Sequence, residues 1–163
     1  MTDHRPAEEL GARKGAFLEM ALKVMVEAHI GQLDRGGAPY CLHPITVMNY
    51  LNTTDEQLQC VALLHDVAED SGFSLPVLKR LGFTRRILDA VDALTKKPGQ
   101  DYADYRRAVL SNKDAMQVKL CDLRHNMDLS RLQSASRRDI ERKERYLEFY
   151  REIEAKFQET CND

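Results

Sequence analysis

Residues 61–70, Val-Ala-Leu-Leu-His-Asp-Val-Ala-Glu-Asp, constrain this chain more than any other stretch. Residues 60–64 form its longest unbroken apolar run. Four ionisable side chains (His65, Asp66, Glu69 and Asp70) follow, with no Gly or Pro before Gly72. An apolar run without breakers predicts a buried helix that continues through the polar residues. On that helix His65 and Glu69 share one face, and Asp66 and Asp70 share another about 100° round the axis. Three carboxylates and an imidazole beside a hydrophobic core are costly unless paired or bound to a metal. A solvated last turn accounts for Glu69 and Asp70. It does not account for His65 and Asp66, which directly follow Leu63 and Leu64.

The rest of the chain also reads as helices. Residues 6–29 place Pro6 in a first turn with Glu8 and Glu9 behind it, and Gly31 lies beyond the end. Within them Phe17, Met20, Ala21, Val24 and Ala28 follow the helical period and predict a core face. Gly36, Gly37 and Pro39 mark residues 31–43 as a loop. His43 precedes Pro44, which biases it to extended backbone and makes Pro44 a good first residue of the next helix. Thr54 or Asp55 is placed to cap the central helix, Ser74 a brief one, and Thr84 another through Leu94. Residues 96–99 are a loop and 102–110 a helix, and Asp114 is placed to cap a long helix reaching about Leu132. The charge-rich segment 136–159 carries Tyr146, Phe149, Ile153 and Phe157 at helical spacing. With no strand-like alternation and no internal repeat, the expectation is an all-α, single-domain helical bundle over 1–163.

Composition excludes several classes of function. A net charge of −2 leaves no nucleic-acid footprint. Arg137, Arg138, Arg142, Lys143 and Arg145 are interleaved with Asp139, Glu141 and Glu144, as on a solvated helix face. The longest apolar run is far too short to span a bilayer. The N-terminus lacks an apolar signal segment, which predicts a cytoplasmic protein. Cys41, Cys60, Cys121 and Cys161 show no metal-type spacing and read as free thiols, with Cys60 and Cys121 in the core.

A second polar cluster, Lys119-Leu-Cys-Asp122-Leu-Arg-His125-Asn126, has the same apolar approach, so Asp122 is expected to be buried and to need a partner. Asp122 and Asn126 share a helix face, with His125 beside them. A third polar point is His43. Of five histidines, three sit in or beside these clusters. A lone histidine is usually a satisfied core or surface residue; three beside aspartates point toward a metal site. His29 reads as structural and His4 as exposed.

His43, the His65-Asp66 pair and Asp122 resemble the H…HD…D signature of HD-domain metal-dependent phosphohydrolases. The likeness is closer still to the hydrolase domain of RelA/SpoT-type alarmone (ppGpp) hydrolases and their small single-domain relatives. It is carried by Ala28-His29-x-Gly31-Gln32, Pro39-Tyr40-x-x-His43-Pro44, Leu64-His65-Asp66-x-x-Glu69-Asp70, Leu94-Thr95-Lys96 and Lys119-Leu-x-Asp122-x-x-His125-Asn126. The resemblance implies that His43, His65, Asp66 and Asp122 ligate a divalent metal, usually manganese, and that Glu69 and Asp70 activate water and handle protons. It implies that Asn126 contacts the substrate nucleoside, and that the reaction removes the 3′-pyrophosphate of ppGpp. The chain is too short to hold the family's synthetase domain as well. Mixed imidazole and carboxylate ligands suit Mn²⁺ or Fe²⁺, with Zn²⁺ as a further candidate. Arg35, Lys96, Lys97, Arg106 and Arg124 are candidate phosphate partners.

Two positions depart from that pattern, both on the substrate side. Where the alarmone hydrolases carry Arg-Lys ahead of the PYxxH segment, this chain has Asp34-Arg35, so an acid replaces the arginine that packs on guanine. The family's Asp-Arg-x-His-Asn run is here Asp122-Leu123-Arg124-His125-Asn126, with the arginine moved about 100° around the helix. The leading expectation is a phosphohydrolase acting on a phosphorylated nucleotide, with ppGpp first. The alternatives are another small phosphate ester, such as a nucleotide monophosphate or NADPH, and a catalytically silent nucleotide-binding sensor.

Overall fold

The structure, a computed structural model, describes residues 13–70 and 72–161, without the side chains of Asp70, Thr160 and Cys161. The helix start expected at Pro6, the exposure of His4 and the thiol of Cys161 lie outside the described residues. In chain order the helices are α1 (Ala16–His29), α2 (Leu42–Leu51), α3 (Glu56–Leu64), α4 (Val67–Asp70) and α5 (Leu75–Arg80). They continue with α6 (Arg85–Leu94), α7 (Tyr102–Leu110), α8 (Lys113–Asn126), a 3₁₀ turn (Leu129–Arg131) and α9 (Arg137–Cys161). Among the described residues the extended structure is one isolated bridge, Leu33 to Pro39, so the fold is all-α.

α3 occupies the centre because its second half is apolar on every side. Cys60, Val61, Ala62, Leu63 and Leu64 are all fully buried. A helix apolar all round needs neighbours all round, and α3 packs against α1, α2, α6 and α8. Leu63→Ala would cost about 2–5 kcal/mol at such a position. Ala21, Val24 and Ala28 of α1 and Phe149 and Ile153 of α9 enter the same core, as their spacing predicts, while Phe17, Met20, Tyr146 and Phe157 pack at its margin.

The helix starts are held by side chains. α1 follows Gly15, which has φ 87° and no side chain to cap with. Glu56, at the start of α3, serves instead, accepting from the Gly15, Phe17 and Leu18 amides at 3.0, 3.0 and 3.2 Å. These are donors a helix start otherwise leaves unpaired, so one carboxylate fixes α1 against α3. Asp55 caps α3 through Gln57 and Leu58, and Thr84 caps α6 through Ile87. Arg86 of α6 bridges Asp55 and Asp114 at 2.7 and 2.6 Å, tying α6 to the starts of α3 and α8.

Four sequence expectations need correction. The central helix stops at Leu64, and His65 and Asp66 form a turn before α4. There the His65 ring nitrogen Nδ1 lies 2.6 Å from the Ala62 carbonyl, competing for an acceptor that the helical ladder would use. Glu69 therefore does not sit one continuous turn beyond His65. His43 is helical rather than extended: α2 already begins at Leu42, and Pro44 occupies its first turn, where no amide donor is needed. Asn112, not Asp114, caps α8, which ends at Asn126 rather than near Leu132. Cys121 is half-buried, not a core residue. Cys41, Cys60 and Cys121 are free thiols, and Ser74 precedes α5 without a side-chain capping bond.

Candidate metal centre

Three packed elements deliver four donors to one point. His43 comes from the first turn of α2, His65 and Asp66 from the turn that ends α3, and Asp122 from α8. His43 Nε2 lies 3.1 Å from Asp122 Oδ1 and 3.7 Å from Asp66 Oδ2. His65 Nε2 lies 3.0 Å from Asp66 Oδ2 and 3.8 Å from Asp122 Oδ1. Bonds of about 2.0–2.2 Å to one ion place neighbouring ligand atoms roughly 3.0–3.5 Å apart. Two of the four distances fall in that range and the other two lie 0.2–0.3 Å beyond it, and His43, His65 and Asp66 can converge on a single ion.

The hydrogen bonds around the two imidazoles say which nitrogen is available. The His65 Nδ1 neighbour is a carbonyl, which only accepts, so Nδ1 carries the proton. His65 Nε2 is buried and has no hydrogen-bond partner among the described residues. His43 Nδ1 faces His125 Nδ1 at 2.6 Å. The two rings tilt by only 19° with centroids 4.9 Å apart, which at that N–N distance means they meet head to head rather than face to face. Both Nε2 atoms face carboxylate oxygens, and a neutral imidazole that carries its proton on Nδ1 meets them as acceptor to acceptor. Acceptors facing acceptors call for a cation: against burial, Asp66 and Asp122 raise the His65 pKa well above its ordinary value, so the imidazole takes up a proton there, and the same residues fit a divalent metal.

The carboxylates are held in place by their own donors. Tyr40 donates to Asp66 Oδ2 at 2.5 Å, and Asn126 Nδ2 to Asp122 Oδ1 at 2.6 Å. Lys119 donates to Asp122 Oδ2 at 2.8 Å. Burial opposes the charge on Asp122, but Lys119 outweighs it and holds the carboxyl well below the usual range. Burial likewise works against Lys119, and Asp122 raises its pKa well above the ordinary value. Burial, then Arg131, then His43 push His125 down to about 4, so it is neutral at physiological pH.

A cavity of about 540 Å³ opens beside the cluster, lined by His43, Tyr40, Asn126, Arg35, Arg131 and Tyr146 among others. Its charged residues are paired among themselves. Arg131 donates to Asp34 Oδ2 at 2.8 Å, while Asp34 Oδ1 accepts from the Gly36 and Ala38 amides at 2.8 and 2.9 Å. Arg35 and Arg142 lie 2.9 and 3.4 Å from Asp139 Oδ1. Gly36 backs onto the Arg131 carbonyl so closely that an added Cβ would collide with it.

His43, His65, Asp66 and Asp122 thus come together, with Asn126 and Arg35 on the adjoining cavity. Glu69 is exposed on α4 and accepts from the Lys96 amide; the Asp70 side chain lies outside the described residues. The other proposed phosphate partners do not line this cavity. Lys96 is exposed, Lys97 pairs with Asp92, Arg106 with Glu148 and Glu152, and Arg124 lies 4.3 Å over the Tyr50 ring. His29, 2% exposed with Nδ1 on Gln32 and its ring against Tyr40, sits behind the site. Sequence reading gave Tyr40 and Lys119 no role, though both lie in the quoted motif stretches, and it counted His125 among the histidines that point to a metal without foreseeing its contact with His43. Arg131 lies outside those stretches and carried no signal at all.

The chain matches none of the known protein-family profiles. It is similar to a guanosine-3′,5′-bis(diphosphate) 3′-pyrophosphohydrolase of Haemophilus influenzae, 30% identical over an alignment 128 residues long that covers 70% of this chain and 19% of that protein. It is also similar to a probable GTP pyrophosphokinase of Mycobacterium leprae, 29% identical over 69% of this chain and 16% of that protein. The chain thus spans under a fifth of the length of these curated relatives. A solved structure of a metazoan ortholog of SpoT that hydrolyzes ppGpp superposes with a TM-score of 0.65 at 26% identity, covering 86% of this chain and 84% of that one. The chain is a relative of the RelA/SpoT-type hydrolase domain. HD-type hydrolases of this kind depend on a divalent metal. No helix among the described residues is long and apolar enough to cross a membrane.

Proposed function

We propose that the chain is a metal-dependent phosphohydrolase that removes the 3′-pyrophosphate of ppGpp, adding water across the 3′-oxygen–phosphorus bond. The observation that carries this reading is the meeting of two histidine Nε2 atoms with the buried Asp122 and the half-buried Asp66 beside a nucleotide-sized cavity. The H. influenzae relative, named for that reaction, supports the choice of substrate. His43, His65, Asp66 and Asp122 would hold the ion, with Mn²⁺ the first choice for an N/O set and Fe²⁺ or Zn²⁺ behind it. A divalent ion supplies Lewis acidity toward a phosphoryl oxygen and hydroxide near neutral pH. Tyr40, Lys119 and Asn126 keep the two carboxylates oriented. Glu69 and Asp70, on the short helix after Asp66, take the proton-handling role, and the Lys96 amide restrains Glu69 at the lip of the loop 96–99. Asn126 and Arg35 contact the nucleoside from the cavity wall. All of 1–163 belongs to this one domain in our reading, acting in the cytoplasm on a small nucleotide rather than on nucleic acid or membrane.

The test is pyrophosphate release from ppGpp in the presence of Mn²⁺. Nucleotide monophosphates and NADPH run alongside as rival substrates, with phosphate release measured. Pyrophosphate from ppGpp at a rate far above the rivals supports the reading. Faster release of phosphate from a rival transfers the activity to it. Tight ppGpp binding with no product from any compound makes the protein a nucleotide sensor.

A further inference from the structure

Arg131 is joined to a metal ligand through one intermediate residue. Its Nη1 lies 3.0 Å from His125 Nδ1 and 3.0 Å from the His125 carbonyl. Its Nη2 donates to Asp34 Oδ2, 97 residues away in sequence. A guanidinium has five donors and no acceptor, and it does not lose its proton in proteins. Whatever Arg131 touches must therefore accept. That rule fixes His125 Nδ1 as an unprotonated acceptor and puts the His125 proton on Nε2. His43 Nδ1, 2.6 Å from the same His125 atom, must then be the donor. His43 consequently has its lone pair on Nε2, the atom that faces Asp66 and Asp122.

We propose that Arg131, held by Asp34, is a positioning residue that sets the tautomers of the His125–His43 pair and so the nitrogen that His43 presents to the metal. Without the guanidinium, two neutral imidazoles facing through Nδ1 have two equivalent arrangements, and in one of them His43 carries its proton on Nε2 and cannot ligate. With it, only the ligating arrangement leaves His125 Nδ1 an acceptor, its one lone pair shared between the His43 Nδ1–H and the guanidinium. Asp34 takes part by bonding Gly36, Ala38 and Arg131 together, so the loop of residues 31–39 and the metal ligand share one chain of hydrogen bonds. The acid that replaces the family's base-stacking arginine thereby serves the metal centre.

The inference rests on the metal assignment above, and the experiment separates the two. Mn²⁺ affinity is measured by calorimetric titration for the wild type, Arg131→Ala, Arg131→Lys and Asp34→Asn, with His65→Ala as the ligand-deficient control. In parallel, ¹⁵N-histidine spectra of metal-free protein report the tautomers of His43 and His125. Groups that orient a ligating histidine typically contribute 10–100-fold in metal affinity. The expected result is a loss of that size for Arg131→Ala, partial recovery in Arg131→Lys, and a smaller loss for Asp34→Asn. The Arg131→Ala spectra should show the His43 Nδ1–H form giving way to a mixture. Affinity within twofold of wild type in a folded Arg131→Ala protein, or unchanged tautomers, overturns the inference and leaves the metal site standing. If Arg131→Ala does not fold, Arg131→Lys and Asp34→Asn decide in the same way. Wild-type protein that binds Mn²⁺ no better than His65→Ala overturns both.

Discussion

The metal centre and the cavity beside it are both rich in charge, yet they settle it in opposite ways. At the centre, two carboxylates face two imidazole Nε2 atoms, and the Lys119, Tyr40 and Asn126 donors around them reach only the carboxylates. In the cavity, Asp34 meets Arg131, and Asp139 meets Arg35 and Arg142, so the opposite charges are matched locally. A cluster that its own protein leaves short of positive charge is built for something else to complete. A cluster that is matched locally holds its shape unaided. The contrast separates residues that should act on a ligand from residues that set the frame.

The strongest way to break this contrast is to remove a donor from the centre. His65→Ala should abolish both metal retention and turnover, and stripping the wild type with a chelator should lower its melting temperature, since an ion bound only by the folded state stabilises it. Elemental analysis of purified protein decides the matter: equal metal content in wild type and variant would remove His65 from the ligand set. Glu69→Gln should be milder. It should keep Mn²⁺ and nucleotide affinity while turnover falls by about 10²–10⁴-fold, the usual worth of general acid–base help. Near-normal turnover would return Glu69 to the status of a surface carboxylate bonded to the Lys96 amide. A loss of metal would instead make it a ligand.

On the cavity side the effects should be smaller and should touch specificity. Arg35 is the arginine in the loop with an exposed guanidinium, anchored at one end by Asp139. If it stacks on the base, Arg35→Ala should lose roughly 1–3 kcal/mol of binding for ppGpp and narrow its preference over the adenine counterpart. A strong guanine preference that survives the substitution means the base is read elsewhere, from the α8 side near Asn126. Asp34→Arg should not restore a family-like stack, because it breaks the bonds to Gly36, Ala38 and Arg131.

The smallest effect concerns pH. Burial works against the charge on Asp34, but bonds from Ala38, Arg131 and Gly36 hold its carboxyl below the usual range. A depressed folded pKa means the contribution is fully present above the unfolded value of about 3.9 and is lost as pH falls through the folded one. The melting-temperature gap between wild type and Asp34→Asn should therefore be constant near neutrality and shrink below about pH 4. A gap that stays constant down to pH 3 would show that the charge on Asp34 is not what the loop depends on.

These regions also differ in how far they could be read from residues alone. The core was legible where a period carries the signal: Ala21 and Val24 on α1, Phe149 and Ile153 on α9. His65, Asp66 and Asp122 stood out because they follow apolar runs that should not end in charge, whereas His43 was marked only by its place at a helix entry. What a period cannot carry is a break made by a side chain. Nothing in His-Asp-Val-Ala-Glu-Asp disfavours a helix, and the turn at His65 arises where its ring meets the Ala62 carbonyl. His43 went the other way: the bias from Pro44 was real but weak, and packing of α2 against α3 and α8 decided the backbone. Arg131 was illegible because its partners, Asp34 and His125, become neighbours only through the fold.

Gly36 carries a consequence for how such a chain can drift over generations. It has no positive φ, so its backbone would tolerate any residue; what forbids one is the Arg131 carbonyl pressed against it. A backbone atom cannot swing aside as a flexible side-chain end can. Even alanine at 36 must push the Arg131 backbone, and through it the His125–His43 pair. Gly37 next door is constrained differently, by φ 88° in open space. A descendant exploring new substrates is therefore free to rewrite the outward residues of this loop while position 36 stays shut, and its routes to new specificity narrow to those that leave one hydrogen atom in place.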